Sequence, residues 1–113
     1  MDFVLTWEEF EKTHMRVGRV VEVKPFPEAR NPAYIIQVDF GEHYGIKKTS
    51  AQLTQRYSPD ELLGKHIIGV VNFAPKQIGP ILSEFLILGA VDGILGTAVL
   101  EVPSDVPIGS PVA

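Results

Sequence analysis

Tyr34-Ile35-Ile36-Gln37-Val38-Asp39-Phe40 is the stretch on which the fold turns. Tyr34, Ile36, Val38 and Phe40 fall on one side and Gln37 and Asp39 on the other, the period of two of a half-buried antiparallel strand. Gly41 to Gly45 reads as a turn, and Ile46 to Ala51 as the next strand, carrying Lys47 and Lys48. Upstream, Met15 to Lys24 is a long, Val-rich strand in which Gly18 suits a bulge or sharp bend. Pro25, Pro27 and Pro32 bracket the loop that follows it. Downstream, Ser58 to Gly64 signals a one-turn helix: Ser58 caps, Pro59 sits at the first helical position, Glu61 completes a capping box and Gly64 stops the turn. His66 to Phe73, Phe85 to Leu88 and Gly96 to Val102 supply the remaining strands. The loops are too short for the crossover helices a parallel sheet needs. The expected architecture is all-β, a five-stranded Greek-key barrel of the OB type with short N-terminal and connector helices; a β-sandwich is the rival.

The ends of the chain have a different character. Thr6 with Glu9 forms a capping box, and Leu5 and Phe10 are spaced as a hydrophobic staple, so a helix is expected over about 6–14. Trp7, Phe10 and His14 share one face, and so short a helix must dock on something. Ile78 to Val102 is strongly apolar, with only Glu84, Asp92 and Glu101 charged. A small barrel covers one face of each strand with its own core. The surplus predicts a homodimer whose dimerisation region spans about 78–113.

The 113 residues are expected to make a single domain, 1–113, with 45% apolar and 21% charged residues, an ordinary globular composition. The absence of cysteine excludes a disulfide scaffold, a zinc ribbon and a thiol nucleophile. The start shows neither a basic region nor an apolar one of signal-peptide type, and the longest apolar run, Phe85 to Val91, is far short of a membrane span. A cytoplasmic location without membrane insertion is expected. Net charge is −4, but it is unevenly spread. All ten bases lie between Lys12 and Lys76 against six acids, a net +4, while residues 1–11 (Asp2 among them) and 77–113 hold eight acids and no base. Such asymmetry can mark an interaction surface.

No reaction chemistry emerges. Gly41 to Thr49 is a residue short between its glycines for a P-loop, and Ile46 precedes the lysine. His14, His43 and His66 have no metal-ligand spacing. No serine sits in a nucleophile elbow, and Glu8-Glu9 and Asp60-Glu61 are accounted for by helix first turns. No catalytic residue, metal or cofactor is expected. Lys47 and Lys48 cannot share a face of one strand. One points toward the barrel and escapes at its open end; the other stands on the surface with Thr49 as a phosphate contact. Asn72 to Pro80, with two amides, Lys76 and two prolines, reads as a rigid recognition loop.

Phe10-Glu11-Lys12 followed by Met15-Arg16-Val17-Gly18-Arg19-Val20 resembles the opening of the small tRNA-binding domain family, which includes the appended C-terminal domain of some methionyl-tRNA synthetases. Phe26 to Arg30, Pro32 to Tyr34, Asp39 to Gly41, Gly45 to Gln52, and Asn72-Phe73 with Pro75 to Ile78 resemble its CsaA-like branch of export-related chaperones. Thr49 and Leu53 depart from that pattern, where Ser and Ile are expected. The resemblance implies a non-catalytic OB-fold homodimer that binds tRNA and unfolded or precursor polypeptides, with the export machinery as a further partner. It places ligand contacts at Lys47, Lys48, Ser50 and Gln52, and at Asn72, Lys76, Gln77 and Ser83. Arg19 and Arg30 join them as bases of the central segment. Phe26, Tyr57 and Phe73 are the expected peptide contacts. The alternative is a structure-specific tRNA binder acting in trans without a chaperone role.

Overall fold

Met15–Pro25 forms β1, whose 11 residues run along the middle of the main sheet. The computed structural model describes residues 3–113, so Asp2 lies outside the described residues. β1 pairs with β2 (Tyr34–Asp39) on one side and β4 (His66–Val70) on the other. β3 (Ile46–Ala51) adds to β2 and β7 (Leu86–Ile87) to β4, giving the antiparallel order β3-β2-β1-β4-β7. The two edges then approach each other. The Lys48 N–H donates to Glu84 Oε1 at 2.9 Å, the Glu84 N–H donates to the Lys48 carbonyl at 2.7 Å, and the Thr49 and Ser83 hydroxyls lie 2.7 Å apart. The result is a nearly closed five-stranded OB-type barrel.

The alternation in β2 turns Ile36 and Val38 into the core, followed by Phe40 just beyond the strand. Phe40 meets Phe85 edge to face at 5.0 Å. The barrel is tight around this pair. A Cβ on Gly69 would lie 2.6 Å from Phe40, and one on Gly18 would overlap Val38 and lie 2.7 Å from Phe40. Gly18 is therefore required by close packing. The bulge expected there is at Val21, where the pairing passes from Val20 opposite Val38 to Glu22 opposite Gln37.

β3 has the expected limits, but its faces differ from the expectation for Thr49. Thr49 is 3% exposed, not on the surface. It pairs with Ile36, and Lys47 with Val38, so Lys47 and Thr49 share the inward face and Lys48 and Ser50 the outward one. The short α2 (Pro59–Leu62) follows the sequence signal: the Glu61 carboxylate accepts from the Ser58 N–H at 2.8 Å, and Leu62 is fully buried.

Three expectations change at the margins. α1 is confined to Trp7–Glu11, shorter than 6–14, and none of its residues is buried. It does not dock on its own chain: a single turn is held by its box at one end and, at the other, by Asn72, whose Oδ1 accepts from the His14 N–H and whose Nδ2 donates to the Lys12 carbonyl. Leu5 and Phe10 line a shallow apolar depression together with Ala113. β4 ends at Val70, before Phe73, and the stretch read as a loop is a hairpin of β5 (Lys76–Ile78) and β6 (Ile81–Ser83). The last strand is only β9 (Ala98–Val99), paired with β8 (Gly89–Ala90). Beyond it, the Gly109 N–H donates to the Val17 carbonyl and the Val112 N–H to the Met15 carbonyl, so the chain ends alongside β1. No helix among the described residues is long and apolar enough to cross a membrane.

Candidate functional site

The outward face of β1, β2 and β3 carries three of the ten polar residues singled out from the sequence, Arg19, Lys48 and Ser50. Register sets them in rows: Arg19 beside Asp39, Glu22 beside Gln37 and Lys48, Lys24 beside Ile35 and Ser50. Two of the bases face acids. Arg19 lies 4.0 Å from Asp39 and Lys24 3.4 Å from Glu22, both half-exposed or more, so each retains most of its interaction with solvent. Gln37 Nε2 donates to Glu22 Oε1 at 3.0 Å. Lys47, Lys48, Lys76 and Arg30 have no carboxylate within 4.0 Å among the described residues. Of these, Lys48 stands on the outward face, while Arg30 and Lys76 lie in the β1–β2 loop and the β5–β6 hairpin; bases free of carboxylates are available to neutralise phosphates.

Two depressions flank this face. One is formed by the β1–β2 loop, with Arg30 beside Pro27, Pro32 and Tyr34. A neighbouring hollow with Asn31, Gln52 and Gln55 shares Pro32 and Thr54 with it, so Arg30 and Gln52 belong to one rim. The other depression, about 210 Å³, is mainly apolar: Phe73, Ala74, Phe85 and Leu86 line it, with Lys76 and Ser83 at its polar edge. Lys76 and Ser83 are directly opposite in the β5–β6 hairpin. The Thr49–Ser83 hydroxyl contact ties that hairpin to β3.

The remaining expected contacts fall elsewhere. Phe26 is 3% exposed and offers a peptide almost no surface; its ring tip lies against Gly79 of the β5–β6 turn. Tyr57 is half-buried: its hydroxyl accepts from the Val99 N–H at 2.9 Å and its carbonyl from the Tyr34 hydroxyl at 2.8 Å. Both amide groups of Asn72 serve the exit from α1. Gln77 turns its amide to the Gly79 carbonyl at 2.6 Å. Phe73, by contrast, is 54% exposed. Phe85 and Leu86 complete its depression and were missed as site residues; within an uninterrupted apolar run they look like ordinary core.

Comparison with known proteins gives a consistent picture. Residues 15–111 match the family described as "Putative tRNA binding domain". A methionine–tRNA ligase of Pyrococcus horikoshii is 37% identical over 112 residues, 99% of this chain and 15% of that protein. The chain thus spans about 15% of the length of the curated relatives it matches. Among solved structures, the CsaA chaperone protein of Picrophilus torridus superposes with a TM-score of 0.90 at 44% identity, covering 97% of this chain and 100% of that one. The chaperone CsaA of Bacillus anthracis does so with a TM-score of 0.90 at 37% identity, covering 97% and 99%.

Proposed function

Because the chain belongs to the tRNA-binding domain family, we propose that it is a non-catalytic, CsaA-like homodimer that binds tRNA on its basic β face and holds unfolded or export-bound polypeptides in the cytoplasm. The observation that carries this reading is the apolar depression of Phe73, Phe85 and Leu86 with Lys76 at its edge, beside the outward row of Lys48. Apolar side chains of a client fit the hollow, and the lysine suits its acidic groups or a phosphate. Apolar surface on α1 and around residues 82–100 supports association of two copies, with the standard interface of about 1,600 Å² in total as the expected scale.

Three measurements test it together. Sedimentation at micromolar concentration is expected to give twice the chain mass; a monomer removes the dimer. An excess of the protein is expected to slow aggregation of a heated client without ATP, and Phe73→Ser to weaken that effect. Unchanged aggregation leaves the tRNA binder without a chaperone role. Titration of tRNA at several salt concentrations is expected to give a log–log slope of about −3 to −4 for four phosphate contacts, reduced by about one in Lys48→Ala or Lys76→Ala. A slope equal to that of the parent after both substitutions removes the basic face as the site.

A further inference from the structure

A second site lies apart from both depressions and shares no lining residue with them. Arg16 at the start of β1 stacks over the Tyr44 ring, 5.2 Å from its centre. One guanidinium nitrogen, Nη1, reaches the Gly109 carbonyl at a long 3.4 Å. Its Nε is shielded from solvent and has no hydrogen-bond partner, alone in this among the buried side-chain polar atoms of the described residues. No carboxylate of the described residues comes within 4.0 Å of it. Arg16 is part-buried, so its charge keeps some solvent, but a shielded polar atom is ordinarily hydrogen-bonded and its Nε is not.

A hollow open to solvent lies beside the rest of this guanidinium. Arg16 lines a cavity of about 370 Å³ together with His43, Tyr44 and Glu42 of the β2–β3 turn and Ile108 and Gly109 of the C-terminal segment. The His43 ring meets Tyr44 edge to face at 4.6 Å. The residues of the wall thus include a guanidinium, a phenol and an imidazole, three side chains able to donate to an anion. A planar carboxylate suits one guanidinium edge; a tetrahedral phosphate has oxygens left over for the other donors. Glu42 on the same wall opposes any anion and limits affinity.

We infer that the Arg16–Tyr44 cavity binds a phosphate group, either of a nucleic-acid backbone or of free phosphate or a phosphomonoester. The inference is independent of the proposed tRNA and polypeptide contacts, which lie on other residues. The test is a nitrogen–proton NMR titration of the full chain with inorganic phosphate, against sodium chloride at matched ionic strength. The Arg16 Nε–H signal and the amides of 41–45 and Gly109 are expected to shift saturably with phosphate only. Arg16→Gln is expected to lose the saturable shift. Since that variant can also disturb the fold, Glu42→Gln serves as the second: it removes an exposed opposing charge and is expected to tighten phosphate several-fold. A tRNA arm separates the sources. If tRNA moves the Arg16 signal and phosphate reverses it, the ligand is a backbone phosphate; if only phosphate moves it, the ligand is small. Shifts that follow sodium chloride equally, or a Glu42→Gln variant that titrates like the parent, overturn the inference.

Discussion

In the barrel, Ile36, Val38, Phe40 and Ile67 are fully buried; at the margins, Trp7, Val91 and Ile94 are 83%, 86% and 83% exposed. The residue types are alike, but they are held in place by different forces. Barrel side chains are positioned by packing against one another, as Phe40 is by Phe85 and by the space left at Gly18 and Gly69. The 91–96 loop is positioned by polar groups. Asp92 Oδ1 accepts from the Ile94 N–H, Gln55 Nε2 donates to the Ile94 carbonyl at 2.8 Å, and Arg56 Nε donates to the Gly96 carbonyl at 3.1 Å while its Nη2 lies 3.5 Å from Asp92. Its apolar tips are displayed on a polar brace and do not need burial to stay where they are. The margin thus leaves apolar side chains uncovered, whereas the barrel buries its own.

This contrast breaks first in the barrel if it is wrong. Phe40→Ala is expected to cost about 3–5 kcal/mol in urea unfolding, because a large side chain leaves a cavity at the tightest point. A loss within 0.5 kcal/mol of zero, roughly that of a neutral surface change, would mean the core is loose. Gly18→Ala is expected to cost about 1–3 kcal/mol by overpacking against Val38 and Phe40. Arg56→Ala sharpens the comparison: a loss of about 1 kcal/mol is expected, with faster hydrogen exchange in 92–96 and unchanged exchange in β1 and β2. Val91→Ser and Ile94→Ser are expected to stay within about 0.5 kcal/mol of the parent while weakening self-association in sedimentation. Equal damage from these and from Phe40→Ala would erase the distinction. The smallest effect is in acid. Hydrogen bonds from the Thr6 backbone and hydroxyl hold the Glu9 carboxyl below the usual glutamate range, and those of Ser58 do the same for Glu61. The unfolded chain binds these protons at higher pH than the folded one. Their contribution is complete above the ordinary glutamate value and is lost as pH falls through the lowered ones. Glu9→Gln is expected to flatten that part of the pH profile slightly.

Legibility of the site was uneven for physical reasons. Arg30, Gln52, Lys48, Lys76, Ser83 and Phe73 were named from sequence; the fold brings Arg30 and Gln52 to one rim, Lys76, Ser83 and Phe73 to another, and Lys48 to the outward β face. Phe26 lies in a loop, where an aromatic ring is readily displayed; a loop can equally tuck its own ring inward, and Phe26 is 3% exposed. The β5–β6 hairpin and β8 escaped notice because strands of two or three residues are too short to show a period, and β9 is only the core of the strand read over Gly96 to Val102. Arg16 was not named as a site residue, since its setting is made by Tyr44 and Gly109, far along the chain.

What the sequence by itself determined were the local elements: the Ile46–Ala51 limits, the inward side of Tyr34–Phe40, the Thr6–Glu9 box and the stop at Gly64. These depend on contacts a few residues apart, which composition and spacing encode directly. Tertiary structure alone decided which side of β3 faces inward, where β1 bulges, and that α1 stays uncovered by its own chain. A period of two states only that Lys47 and Lys48 oppose each other; the pairing of Lys47 with Val38 and Thr49 with Ile36 chooses the sides. That choice depends on register between distant segments, and only the folded barrel supplies it.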